Sequence, residues 1–355
     1  MADDQYKLSQ EQIEHFLEHG WIKLTGCFTR EQSAELQSQL WTRLGMDPND
    51  MSTWYYTPLL IQTPSHHPLT NSLYRDTKND TGRVNMPIHK YFNASEIAPK
   101  AWSAICQLLG GEDRVNNSVS NWKDSFIVNL GTPTGAGKYI RPQDLTNWHV
   151  DGDFFVHYLD SPEQALLVIP LWTDIVPNGG GTVLCPPGIP IIASHLLANP
   201  SGVSPRMTPR AQNPTFSSEG SDLSFYTRIA SAMPDSAFVE ATGDVGDVYL
   251  LHPLMLHSAS NNTLRKVRVI TNPPVSVKEP FCFDREDEGA YSVVERKTLR
   301  ALGRSRLEGW RVQGGRERIV PDSARVKAEM KKAEEARLAR GKGVKVEKVG
   351  VGTEA

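Results

Sequence analysis

Two short stretches of this chain carry side chains able to hold a metal ion. The segment Asn147-Trp148-His149-Val150-Asp151-Gly152-Asp153 contains a His-x-Asp, and a second histidine, His257, follows the apolar run Asp247-Val248-Tyr249-Leu250-Leu251-His252-Pro253. In extended chain, residues i and i+2 project to one side, so His149 and Asp151 can reach a common ion. Two imidazoles and one carboxylate leave coordination positions open, the donor set of non-haem iron(II) sites that activate oxygen. The triplet alone is weak: ten histidines and 41 acidic residues in 355 positions yield about one by chance, and one is present. The case rests on its company.

The second histidine has a rival. His257 stands past the apolar run, where residues just beyond a buried strand reach the mouth of a barrel. His252 stands five residues earlier, inside the run and beside Pro253, as a core or supporting histidine would. Eleven residues past His257 comes Arg268, in Lys266-Val267-Arg268-Val269-Ile270-Thr271. On a two-residue period Arg268 shares a face with Ile270, opposite Val267 and Val269. A guanidinium among apolar neighbours needs an anion, because an unpaired buried charge is costly; a dicarboxylate gripped by its fork supplies one. An exposed edge strand with both basic side chains in water is the alternative, and Arg265 is a second candidate for the same task.

Short strands must position these residues. After Arg114 the pattern changes from helical to β, with candidate strands at Ser125–Leu130, Ala165–Ile175, Thr182–Cys185, Ala237–Ala241, Asp247–His252 and Lys266–Asn272. Turn residues separate them, notably Pro177-Asn178-Gly179-Gly180-Gly181 and Gly243-Asp244-Val245-Gly246-Asp247. Many short strands with Gly- and Pro-rich turns indicate a sandwich or barrel. The first 45 residues read as helix, strand, helix. Ser9 with Gln12 and Thr29 with Gln32 make capping boxes, Gly20 and Gly45 sit at the ends, and Trp21–Leu24 is the strand. Residues 46 to 100 are irregular and hold Trp54, Tyr55, Tyr56, Tyr74 and Tyr91, which line a substrate site or pack beneath the sheet. A short helix is expected over 101–110, and a mobile surface loop between Asn199 and Ser224. From Asp322 to Arg340 charges dominate, with Arg325 and Glu329, then Lys331 and Glu335, at i,i+4 spacing.

Bulk composition excludes several classes. A net charge of −3 gives no electrostatic footprint for nucleic acid. The start Met1-Ala2-Asp3-Asp4-Gln5 is not a secretory signal, and no run approaches a membrane span. Cys27, Cys106, Cys185 and Cys282 are scattered without a Cys-x-x-Cys pair, as reduced thiols of a cytoplasmic protein would be. No basic cluster stands out along the chain, so a neutral, aromatic pocket for a small lipophilic or amide-containing metabolite is the expectation.

Taken in order, the motifs resemble the phytanoyl-CoA dioxygenase family of iron(II)/2-oxoglutarate oxygenases over roughly residues 8–275. Leu8-Ser9-Gln10-Glu11-Gln12 through His19-Gly20-Trp21-Ile22 is similar to the family's opening helix and strand. Trp148-His149-Val150-Asp151 is similar to its proximal metal motif. Leu171-Trp172-Thr173-Asp174, Asn178-Gly179-Gly180-Gly181-Thr182 and Pro186-Pro187-Gly188 follow its central pattern. Gly246-Asp247, His252-Pro253, His257 and Arg268 follow its distal part. The resemblance implies a mainly β fold with flanking helices around a double-stranded β-helix (jelly-roll, cupin-like) core. It also implies iron bound by His149, Asp151 and His257, and 2-oxoglutarate held by Arg268, with Trp172, Ser260 and Asn129 in the co-substrate pocket. O2 and a small molecule are then the other reactants. Halogenating members replace the carboxylate with a small residue, so Asp151 implies hydroxylation, desaturation or oxidative cyclisation. Pro187-Gly188-Ile189-Pro190 departs from the family's Pro-Gly-Ser-His, and about five extra residues separate the metal motif from Trp172, which alters the pocket rim. One domain over 1–320 is expected, with helical cover at 1–110, β core at 114–275, and a charged helical or disordered tail at 321–355 that takes no part in chemistry. The competing readings are a catalytically silent jelly-roll binding protein and a zinc hydrolase using the same three ligands.

Overall fold

The computed structural model describes residues 4–55, 82–216 and 222–342. Strands form where apolar, often β-branched residues run between turns. Leu166–Pro170 and Val248–Leu251 are buried at every position, so both faces of each are covered and each sits inside its sheet. In chain order the strands are β1 (Trp21–Leu24), β2 (Arg83–Asn85), β3 (Tyr91–Asn93), β4 (Asn121–Lys123), β5 (Ile127–Asn129), β6 (Leu166–Pro170), β7 (Thr182–Cys185), β8 (Val239–Ala241), β9 (Val248–Leu251), β10 (Leu256–Ala259), β11 (Arg268–Ile270) and β12 (Pro274–Val275).

Among the described residues these make antiparallel sheets of order β1–β9–β6–β12, β10–β7–β8 and β11–β5–β2, with β3–β4 as a two-stranded ribbon. Two isolated bridges extend the order. Leu171 pairs with Ile270, joining β6 to β11, and His149 pairs with His257, setting the His-x-Asp segment beside β10. The hydrogen-bonded neighbours are therefore β5–β11–β6–β9 in one set and His149–β10–β7–β8 in the other.

The helices follow their capping chemistry. Both capping boxes form, at Ser9/Gln12 on helix Gln10–His19 and at Thr29/Gln32 on helix Arg30–Leu36. The second helix does not run through to Gly45 as its spacing predicts. It stops at Leu36 and resumes as Leu40–Leu44, where Gln37 turns its amide to the carbonyls of Ser33 and Trp172. The expected helix near 101–110 spans Pro99–Leu109.

Three departures bear on the site. His257 does not lie beyond a strand end: it belongs to β10, hydrogen-bonded through β7 and the His149 bridge. The segment 199–216 is packed, with Val203 and Ser204 buried and Val203 exchanging backbone hydrogen bonds with His157; residues 217–221 lie outside the described residues. The charged C-terminal stretch is a helix, Asp322–Lys342, that buries Met330 and Glu334. Glu334 meets Arg43 at 2.6 Å, and Arg43 also meets Asp124 at 2.9 Å. The expected pair Lys331–Glu335 is not an ion pair, and the side chain of Arg325 lies outside the described residues. Residues 343–355 and the aromatics Tyr56 and Tyr74 also lie outside them. No described helix is long and apolar enough to cross a membrane.

Candidate metal centre

The antiparallel bridge between His149 and His257 sets their rings side by side, with centroids 4.3 Å apart. Two residues on, Asp151 turns Oδ1 to within 3.5 Å of His149 Nε2 and 3.6 Å of His257 Nε2. The three ligand atoms lie within 4.8 Å of one another. The other nitrogen of each ring is spoken for: His149 Nδ1 lies 2.7 Å from the Asn147 carbonyl and His257 Nδ1 lies 3.0 Å from the Met255 carbonyl. A carbonyl can only accept, so each Nδ1 carries the proton and donates it. Both Nε2 atoms are then bare lone pairs facing a carboxylate oxygen.

Three acceptors that converge with no donor among them repel one another unless a cation sits between. A proton on His149 is a poor solution, since burial first and the neighbouring His257 second push its pKa down, against the pull of Asp151. Burial raises the Asp151 carboxyl, but hydrogen bonds from His149 and His257 and their positive charge, present only while a proton sits on Nε2, lower it by more, so the carboxylate is held ionised when a positive charge stands beside it. A carboxylate oxygen and two imidazole Nε2 atoms, each ring pinned at Nδ1 by a backbone carbonyl, form a donor set that could hold a metal ion.

The turn after Asp151 is held from behind. Gly152 has φ +121°, and a Cβ there would meet the Phe155 ring at 2.6 Å and His157 at 2.9 Å. His157 Nε2 lies 2.7 Å from the Gly152 carbonyl while its ring stacks on Phe155. Burial pushes the His157 pKa down to about 4, so it serves as a neutral donor that fixes the turn. His252, the sequence rival to His257, is fully buried and bonds Thr298 Oγ1 at 2.9 Å, away from the trio.

Arg268 is 2% exposed and donates Nε to the Gly180 carbonyl at 2.8 Å. That carbonyl lies just before β7, whose Leu184 is the cross-strand partner of His257. No carboxylate among the described residues lies within ion-pair distance of Arg268. Burial first and the charge of Arg83 second lower its pKa to about 9, with Glu240 opposing. Asn129 is opposite Arg268 in the register and Arg83 is opposite Asn129, so the three share one rung of β11–β5–β2. Gly180, at φ +83°, lies close beneath: a Cβ there would come within 2.7 Å of the Asn129 amide.

Trp172 falls on the other face of the sheet, whereas the Ser260 carbonyl accepts from the Asn129 amide at 3.4 Å. Leu171 is opposite Ile270, so alternation puts Trp172 on the sheet face away from Arg268. Its ring stacks on Phe28 at 4.4 Å, meets Phe92 and Phe126 edge-on, and donates Nε1 to Thr271; it is a core residue. Ser260 donates to the Gly181 carbonyl and lines a separate cavity of about 180 Å3 with Val183 and Glu240. Asn129 alone of the three shares a rung with Arg268.

Asp151 and Gly152 also line a cavity of about 470 Å3 whose other walls include Tyr91, Lys123, Lys327 and Lys331. Of the aromatics expected to line a pocket, Tyr91 lines this cavity, and lysines accompany it. Sequence reading missed them because β4 and the C-terminal helix are some two hundred residues apart and neither holds a basic run. Trp54, another expected aromatic, is buried against Trp41 instead.

No protein-family model and no curated protein sequence matches the chain, so the resemblance drawn from its motifs stands on those motifs. Among solved structures it is similar to HygX from Streptomyces hygroscopicus with nickel, 2-oxoglutarate and hygromycin B bound, at 12% identity and TM-score 0.38, covering 78% of this chain and 90% of that one. EctD from S. alaskensis with 2-oxoglutarate and 5-hydroxyectoine is similar at 15% identity and TM-score 0.37, covering 77% and 78%. The non-heme alpha ketoglutarate dependent carbocyclase SnoK from nogalamycin biosynthesis is similar at 15% identity and TM-score 0.35, covering 76% and 84%. Likeness this distant assigns no activity; the side chains of the site must do so.

Proposed function

We propose that this protein is an Fe(II)- and 2-oxoglutarate-dependent oxygenase of the phytanoyl-CoA dioxygenase kind, acting on a small molecule, with His149, Asp151 and His257 as the metal ligands. The observation that carries the reading is the convergence of two imidazole Nε2 atoms, each ring pinned at Nδ1 by a backbone carbonyl, on one carboxylate oxygen. The strand order supports it. β5, the His149 segment, β6, β7, β8, β9, β10 and β11 divide into two sets of four, the arrangement of a double-stranded β-helix.

When bound, iron(II) with 2-oxoglutarate and O2 supplies the oxidant, and succinate and carbon dioxide leave. The chain's own residues bind and orient. His149 and His257 each present Nε2 because a backbone carbonyl holds the opposite nitrogen, and Asp151 offsets part of the ionic charge. Arg268, buried with no carboxylate within ion-pair distance among the described residues, would receive the distal carboxylate of the co-substrate, with Asn129 beside it on the sheet rung. His157 and Gly152 keep Asp151 from swinging away. Soft thiolate ligands are absent from the trio, which suits iron(II).

Purified protein given iron(II) and 2-oxoglutarate without oxygen should develop a weak visible absorption band, and admission of air should release succinate. Asp151→Ala should abolish both. Undiminished succinate release in that variant, or equal turnover with zinc and no oxygen, would sink the assignment.

A further inference from the structure

The cavity that opens on Asp151 holds an excess of positive charge. Lys123 comes from β4, Lys327 and Lys331 come from helix Asp322–Lys342, and all three line the same space as Asp151 and Gly152. Lys327 and Lys331 are one turn apart on one helix face, a like-charge spacing that weakens a helix. Lys123 is half-buried, and burial first and the charge of Lys327 second push its ammonium below the usual lysine value. Its Nζ lies 5.9 Å from the ring centroid of Tyr91. Among the described residues no carboxylate lies within ion-pair distance of any of the three lysines. Of the two acidic residues in the cavity, Asp151 is already committed to the imidazoles and Asp153 is the other.

The helix that brings two of the lysines is firmly seated. Met330 and Glu334 are buried, Glu334 meets Arg43 at 2.6 Å, and Arg337 donates to the Thr42 carbonyl at 2.8 Å. Docking it concentrates three like charges around one opening, which opposes folding unless an anion arrives there. The cavity volume of about 470 Å3 is that of a small-molecule site.

We propose that this opening is an anion receptor: Lys123, Lys327 and Lys331 hold a carboxylate, phosphate or sulfate group of the substrate while the rest of the molecule extends toward the ion site. The inference rests on the oxygenase reading and names the substrate class for the same site. 2-Oxoglutarate is itself an anion, but on the oxygenase reading Arg268 takes its distal carboxylate, so the lysines are left for the molecule being oxidised.

The test titrates the full chain with phenyl phosphate and, as its neutral counterpart, benzyl alcohol, by ligand-observed NMR in low-salt buffer. Phenyl phosphate should bind at least about tenfold more tightly than benzyl alcohol, and Lys123→Ala or Lys327→Ala should each weaken it about fivefold. Lys278→Ala, whose Nζ bonds the Asp113 carbonyl, should change nothing. The lysine variants should keep the wild-type KM for 2-oxoglutarate and wild-type succinate release without added substrate. Equal binding of the two probes, or lysine variants that bind phenyl phosphate like wild type, overturns the receptor. A KM for 2-oxoglutarate that rises by the same factor as the probe weakens also overturns it, since the lysines would then serve the co-substrate. Probe binding that obeys these rules in a protein releasing no succinate would instead strike the oxygenase reading and leave the receptor standing.

Discussion

A guanidinium inside a sheet is the residue whose environment most restricts its role. Arg268 gives Nε to the Gly180 carbonyl and reaches the Ile127 carbonyl at 3.5 Å, yet these neutral acceptors do not balance its charge. Burial first and the charge of Arg83 second depress its pKa to about 9; a carboxylate ligand would oppose both. Arginine suits the task because its planar fork pairs two oxygens at once, which the point charge of lysine cannot do. Arg268→Lys should therefore raise the KM for 2-oxoglutarate at least about tenfold, a loss near 1.4 kcal/mol, while metal affinity stays unchanged. Steady-state succinate release against 2-oxoglutarate concentration checks this, and an unaltered KM would remove Arg268 from the site. Most of this was legible in the sequence, because period-two alternation already set Arg268 opposite its valine neighbours. Trp172 shows the limit. Its place in a motif series said nothing about which face of the sheet it would take, and one position along the strand separates the pocket side from the core side.

At the scale of elements, the structure joins β9 to the helix Val293–Ala301 through His252. Its Nδ1 accepts from Leu254 N–H at 3.2 Å, so Nε2 carries the proton toward Thr298 Oγ1. Burial first and the charge of Lys297 second lower its pKa to about 3. A second ring proton would point at the Leu254 N–H. Unfolded, the same imidazole titrates near 6.5. Between those values the unfolded chain binds a proton that the folded chain does not, so the stability from this group is whole above pH 6.5 and drains as pH falls toward 3. Between pH 7.5 and 5.5 the loss should be about 1.4 kcal/mol. Urea unfolding of wild type and His252→Gln at both pH values tests it: the variant, weaker at pH 7.5, should lose that much less on acidification, and parallel losses would exclude the buried imidazole as the source. This contact was not legible beforehand. Helix Val293–Ala301 begins with a capping box at Ser292 and Glu295, the same signal that marked Gln10–His19, but it lies beyond the stretch where motifs drew attention. β10 was hidden for another reason: Pro253 and the polar Ser258 interrupt the apolar pattern, and its pairing with β7 and His149 comes from segments far away in the chain. The strands introduced by Gly-Asp and Gly-Gly turns were legible because their signals are local.

Across the whole molecule, the proposed ligand set ties together segments more than a hundred residues apart, and this would make metal binding a folding event. The folded chain brings His149, Asp151 and His257 within 4.8 Å, an arrangement the unfolded chain lacks, so an ion that binds only the folded form stabilises it by mass action. At a free metal concentration one hundred times Kd the gain is about 2.7 kcal/mol. An unfolding entropy of about 2.1 cal/mol/K per residue over 355 residues turns this into a rise in Tm of roughly 3–4 °C. The gain includes relief of three acceptors crowded without a cation, so it should be specific to the trio. Manganese(II), which resists oxidation in air, should raise the Tm of the wild-type chain by this amount, and a chelator should reverse it. Asp151→Ala should show almost none of the response. The same ion should raise the Tm of the Lys327→Ala variant as it does the wild type, because that lysine stands at the opening rather than among the ligands. A wild-type Tm indifferent to manganese, or an equal rise in Asp151→Ala, would mean that the trio does not gather a metal in solution, and the chemistry proposed for it would fall with that result.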